Sequence, residues 1–120
     1  MLELAKITSN VNIGDKGPFD LYALDDFDFC ENLRFDDTEG IYIFGRYYRS
    51  SDGTNKFELY YLGKTTDYDN RFYHHHKEKQ LKKVNPNCIA IHACGKREMD
   101  KLEVDWIELW KPIYNIQHNS

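Results

Sequence analysis

Glu103 is the residue whose position asks for a chemical explanation. At about 100° per residue, residues 97–110 form a helix on which Met99, Leu102, Trp106, Leu109 and Trp110 make one apolar stripe. Asp100, Lys101, Asp105 and Glu108 fall outside it. Glu103 lies between Met99 and Ile107, about 40° from the centre of the stripe. A carboxylate on a core-facing stripe is costly unless it is paired or holds a metal. It reads either as a boundary glutamate reaching solvent or an arginine, or as a functional group. Upstream, the stretch from Arg71 to Lys83 holds Arg71, Lys77, Lys79, Lys82 and Lys83 against Glu78 alone. That is either a solvated helix face or a surface for a nucleic-acid backbone. His74, His75 and His76 are consecutive, so on a helix they diverge and cannot converge on one ion.

These residues need elements to position them. Gly40-Ile41-Tyr42-Ile43-Phe44 and Phe57-Glu58-Leu59-Tyr60-Tyr61-Leu62 read as the strands of a hairpin, with turn chemistry at residues 50–55. Alternation puts Ile41 and Ile43 on one face and Tyr42 and Phe44 on the other. Asp67 is a helix N-cap before a helix over 68–83, and Asn85-Pro86-Asn87 ends it. Residues 88–93 are a short third strand, 97–110 the clearest helix, and Pro112 its stop. The expected fold is α+β: a small three-stranded antiparallel sheet flanked by helices, a β-β-α-β-α core whose helices cover one face, with an N-terminal extension.

The chain has 120 residues, enough for one compact unit. Residues 1–39 carry three basic and ten acidic residues, and residues 40–120 carry thirteen basic and ten acidic ones. The net charges are therefore −7 and +3, a split that suggests separate jobs. Residues 1–39 are expected to be an acidic extension packing on a core of residues 40–120. After the Gly14, Gly17, Pro18 cluster its aromatics fit either a strand or an irregular wrap. No apolar run approaches the roughly 20 residues that span a bilayer. Cys30, Cys88 and Cys94 have no CxxC spacing and read as free thiols of a reducing compartment, so a cytoplasmic location is expected.

Gly40-Ile41-Tyr42 and, nineteen residues on, Tyr61-Leu62-Gly63 resemble the paired signature of the GIY-YIG nuclease family, with Leu for the middle Ile of the second half. Arg71 lies ten residues past Tyr61, His75 one turn later, Glu103 on a later helix and Asn115 in Pro112-Ile113-Tyr114-Asn115, all in the family's order. The resemblance covers residues 40–117. It implies a metal-dependent endonuclease that hydrolyses phosphodiester bonds in DNA, RNA being a further possible substrate.

On that resemblance Tyr42, Tyr61, Arg71, His75 and Glu103 are the catalytic set. Glu103 would hold one Mg²⁺ or Mn²⁺, since one carboxylate plus waters and phosphate oxygens suits a hard cation. Arg71 offers phosphate a planar fork of donors. Tyr42 would deprotonate the attacking water if nearby cations lowered its pKa, with Tyr61 paired to it across the hairpin. His75 would be a general acid or base, or a partner for Tyr42. Lys64, Lys77, Lys79 and Asn115 are the expected substrate contacts, Asn115 acting by holding the helix end or orienting the site. Residues 1–39 would complete the fold, dock a protein partner or screen the DNA face. The alternative is a non-catalytic module of the same fold that binds nucleic acid or a protein.

Overall fold

A computed structural model describes residues 6–24, 39–68 and 78–117, with backbone alone for residues 6–9, 55, 78, 79, 116 and 117. Five strands, β1 (Lys6–Ile13), β2 (Lys16–Ala23), β3 (Gly40–Arg49), β4 (Asn55–Thr65) and β5 (Cys88–Ala93), form one sheet. Among the described residues three helices accompany them: α1 (Glu78–Val84), α2 (Lys96–Trp110) and α3 (Ile113–Gln117). Every ladder is antiparallel and the order is β1-β2-β5-β3-β4.

This corrects the expected three-stranded sheet. The two further strands come from the acidic segment, which joins the sheet itself: β2 pairs with β5 from Asp20↔Ile91 to Ala23↔Cys88. The acidic count of residues 1–39 hid apolar residues alternating with polar ones, Val11 and Ile13, then Phe19 and Leu21, around a two-residue loop, Gly14-Asp15. Gly14 takes the positive φ such a loop needs. Phe19, Leu21, Tyr22 and Leu24 are all buried. Residues 25–38, which hold Cys30, lie outside the described residues.

A second correction concerns the layers, because helices lie on both faces. The upper core gathers Tyr22, Tyr42, Phe44, Tyr60, Tyr61, Tyr68, Leu81 and Ile89, with Val84 of α1 and Tyr114 of α3 against it. The lower core gathers Phe19, Leu21, Ile41, Ile43, Leu62 and Ala90 above Met99 and Trp106 of α2. The central strand β5 feeds both, so Cys88-Ile89-Ala90-Ile91 is apolar throughout rather than alternating. Of the apolar stripe on α2, Met99 and Trp106 are buried while Leu109 stays exposed.

The Tyr60-Tyr61 pair sits at a β-bulge. Phe44 pairs with Tyr61 and Gly45 with Leu59, which leaves Tyr60 as the extra residue on β4. Both phenol rings therefore enter the upper core, and the phase of β4 flips between Leu59 and Leu62, both of which face the lower core.

Two asparagine side chains extend the ladders. Asn115 of α3 accepts from the Leu62 amide at 2.8 Å and donates to the Leu62 carbonyl at 2.8 Å. Asn87 does the same for Tyr47, at 2.8 and 3.0 Å. Each amide supplies what a neighbouring strand would supply, so backbone groups with no ladder partner on that side are satisfied. No helix among the described residues is long and apolar enough to cross a membrane.

Candidate active site

Gly40-Ile41-Tyr42 and Tyr61-Leu62-Gly63 meet at one end of the β3–β4 hairpin. Gly40 pairs with Thr65, Ile41 with Lys64 and Tyr42 with Gly63. Gly63, not Tyr61, is thus the cross-strand neighbour of Tyr42, and Tyr61 sits diagonally with ring centroids 6.2 Å apart. The glycines have steric reasons. Gly40 adopts φ +145, and a Cβ there would lie 2.9 Å from Ala93 Cα. Gly63 leaves the space that the Tyr42 ring fills. Tyr68 closes this end, donating from its hydroxyl to the Ile41 carbonyl at 2.7 Å.

Lys64 follows Gly63 and faces the lower side, where α2 lies. Its ammonium is 2.7 Å from Asp100 Oδ1 and 3.5 Å from Glu103 Oε1. The two carboxylates stand on successive turns of α2 and converge on one cation. Beside them opens a cavity of about 490 Å³ lined by Lys64, Thr65, Thr66, Lys96, Met99 and Asp100. The hydrogen bond to Asp100 raises the Lys64 pKa, aided by the charge of Glu103. The same hydrogen bond lowers that of Asp100.

The linkage has a sign on each limb. Asp100, depressed in the fold, favours folding above its unfolded pKa, and that contribution fades as pH falls through the lower folded value. Lys64, elevated, favours folding below its unfolded pKa and loses that contribution as pH rises past it. Both groups meet solvent, so screening keeps the energy small. The expected result is spectroscopic: in an NMR titration, Lys64→Ala moves the Asp100 carboxyl midpoint upward. An unchanged midpoint would break the assignment of this pair.

Several expected site residues fall elsewhere. Tyr42 is fully buried and Tyr61 nearly so, both in the upper core, while Glu103 lies on the helix beneath the sheet. The sheet therefore separates the tyrosine rings from the carboxylate, and Tyr42 touches no solvent from which to take a proton. Asn115, expected as a substrate contact acting by holding the helix end or orienting the site, has both ends of its amide engaged by Leu62 and positions the strand that carries Gly63 and Lys64. Arg71, His75 and Lys77 lie outside the described residues, as does the side chain of Lys79. Glu103 has a lysine partner, and its side chain is 25% exposed. Asp100 was missed because it falls off the apolar stripe. Its spacing of one turn before Glu103 was the available signal.

No protein-family model matches the chain, and neither a curated protein nor a solved structure does.

Proposed function

We propose that this chain is a divalent-metal-dependent endonuclease of the GIY-YIG kind, acting on DNA at the open end of the β3–β4 hairpin. The observation that carries the proposal is the convergence of Asp100 and Glu103 on Lys64, directly after Tyr61-Leu62-Gly63. The donor chemistry fits Mg²⁺ or Mn²⁺. Among the described residues no group of three or more His, Cys, Asp or Glu converges. Two carboxylates with water and phosphate oxygens completing the shell suit a hard cation that dehydrates reluctantly. When bound, such an ion supplies counter-charge to the phosphoryl oxygens and an activated water.

The chain's own groups would then divide the work. Glu103, and Asp100 one turn before it, would hold the cation in place of the Lys64 ammonium they share in this structure. Lys64 and Lys96 at the cavity mouth meet phosphate oxygens. Arg71 is assigned to the scissile phosphate by the resemblance alone. Tyr42 and Tyr61 keep the hairpin end rigid from the opposite face.

The burial of Tyr42 favours the second reading, a non-catalytic module of the same fold that binds nucleic acid or a protein. Supercoiled plasmid and single-stranded RNA, each with Mg²⁺ or EDTA, separate the two readings. The expected result is Mg²⁺-dependent nicking of plasmid, abolished by EDTA and reduced at least about a hundredfold in Glu103→Ala. That variant should stay within about 1 kcal/mol of the parent in stability, because the lost ion pair is partly exposed. Robust cleavage by Glu103→Ala would remove the carboxylate from the mechanism. A parent protein that nicks nothing would leave the binding module.

A further inference from the structure

We propose that the far tip of the β3–β4 hairpin is a second contact, a clamp on the backbone of duplex DNA. The inference rests on the nucleic-acid reading above. β3 pairs with β5 only as far as Gly45, whereas its pairing with β4 continues to Arg49↔Asn55. The hairpin therefore leaves the sheet as a two-stranded ribbon. Its base is rigid. Asn87 holds both backbone groups of Tyr47, Arg46 donates to the Asn85 carbonyl, and Tyr47 and Phe57 rest on the lower core.

The tip has a different chemistry. Tyr48 is 41% exposed, and Arg49 and Lys56 are exposed beside it. No carboxylate pairs with Arg49 or Lys56 among the described residues. The ribbon also carries two acids, both hydrogen-bonded within it and both still charged. Asp52 accepts from the Ser50 hydroxyl and from the amide and hydroxyl of Thr54, which lowers its pKa to about 2. Glu58 stands opposite Arg46 and shares the Tyr60 hydroxyl with it. The bond from Arg46 to Asn85 also brings the basic last turn of α1, with Lys82 and Lys83, to the ribbon's base.

Arg46, Arg49 and Lys56 outnumber Asp52 and Glu58 on the ribbon. Cations in excess beside an aromatic ring suit phosphates, and a two-stranded ribbon fits the major groove of duplex DNA. The spacing supports the same occupant. Lys56 and Lys64 are eight residues apart on β4. That is roughly 26 Å of strand. A duplex lying along β4 would meet the tip about seven or eight base pairs from the cleavage end, at roughly 3.4 Å per pair.

The test is fluorescence anisotropy of a labelled duplex with the full chain in EDTA, where no cleavage intervenes. The variants are the charge reversal Tyr48→Ala/Arg49→Glu/Lys56→Glu, the milder Arg49→Gln/Lys56→Gln, and the control Lys16→Glu at the β1–β2 turn. Both ribbon variants should bind at least about tenfold more weakly, and the slope of log K against log salt should fall by about 2. The control should bind as the parent does. Unchanged affinity and slope in both ribbon variants would overturn the clamp, as would a parent that binds no duplex. Equal ribbon-dependent affinity for polyglutamate would also overturn it, in favour of an acidic protein partner. Ribbon-dependent binding without nicking leaves the clamp standing and sinks only the catalytic reading. Nicking without ribbon dependence does the reverse.

Discussion

Gly63→Ala should destabilise the protein by about 3 kcal/mol or more, the upper end of what overpacking a well-filled core costs. An added Cβ would lie 2.5 Å from Cζ and 2.9 Å from Cε1 of Tyr42. That ring has no exposed surface and is braced edge-on by Phe44 at 5.7 Å. It cannot move aside without displacing the upper core. The mechanism predicts coupling. Tyr42→Ala alone costs about 3 to 5 kcal/mol through the cavity it leaves. In the double variant the new methyl group enters that cavity, so the combined loss should fall short of the sum by at least about 1 kcal/mol. Urea denaturation of all four proteins provides the check. Simple additivity would mean that the ring and the glycine do not oppose each other as placed.

Asn115→Ala is the second large effect, at roughly 2 to 4 kcal/mol, because two buried backbone groups of Leu62 lose their partners together. Leu62 is fully buried, so water cannot take over without opening the strand. Native-state hydrogen exchange gives a local readout: the Leu62 amide should exchange faster in the variant, ahead of the β5 amides. Parent-like protection there would show that the amide contributes no more than packing.

The hairpin, the third strand of the expected core and the last helix were legible because each has one dominant periodicity. Gly40 to Phe44 alternates, Cys88 to Ile91 is apolar on both sides, and α2 buries Met99 and Trp106 at helical spacing. The N-terminal strands were not, because aspartates crowd Phe19 to Phe29 and charge outweighed the apolar alternation beneath. Nor could periodicity say which face a helix covers. That depends on how the chain crosses the sheet, and it decides that Glu103 sits beneath the sheet while the tyrosines lie above it. The bulge at Tyr60 shows the same limit: one extra residue redirects a side chain and leaves no mark in composition.

The amides of Asn87 and Asn115 act beyond this one molecule. A strand with open donors and acceptors along its outer side invites a second chain to add itself, and repeated addition leads to fibrils. At Leu62 and Tyr47 those positions are already taken by side chains of the same molecule. A neighbour trying to lengthen the ladder would have to expel an asparagine before gaining its first hydrogen bond. At these two positions, the residues that finish the fold also oppose self-polymerisation.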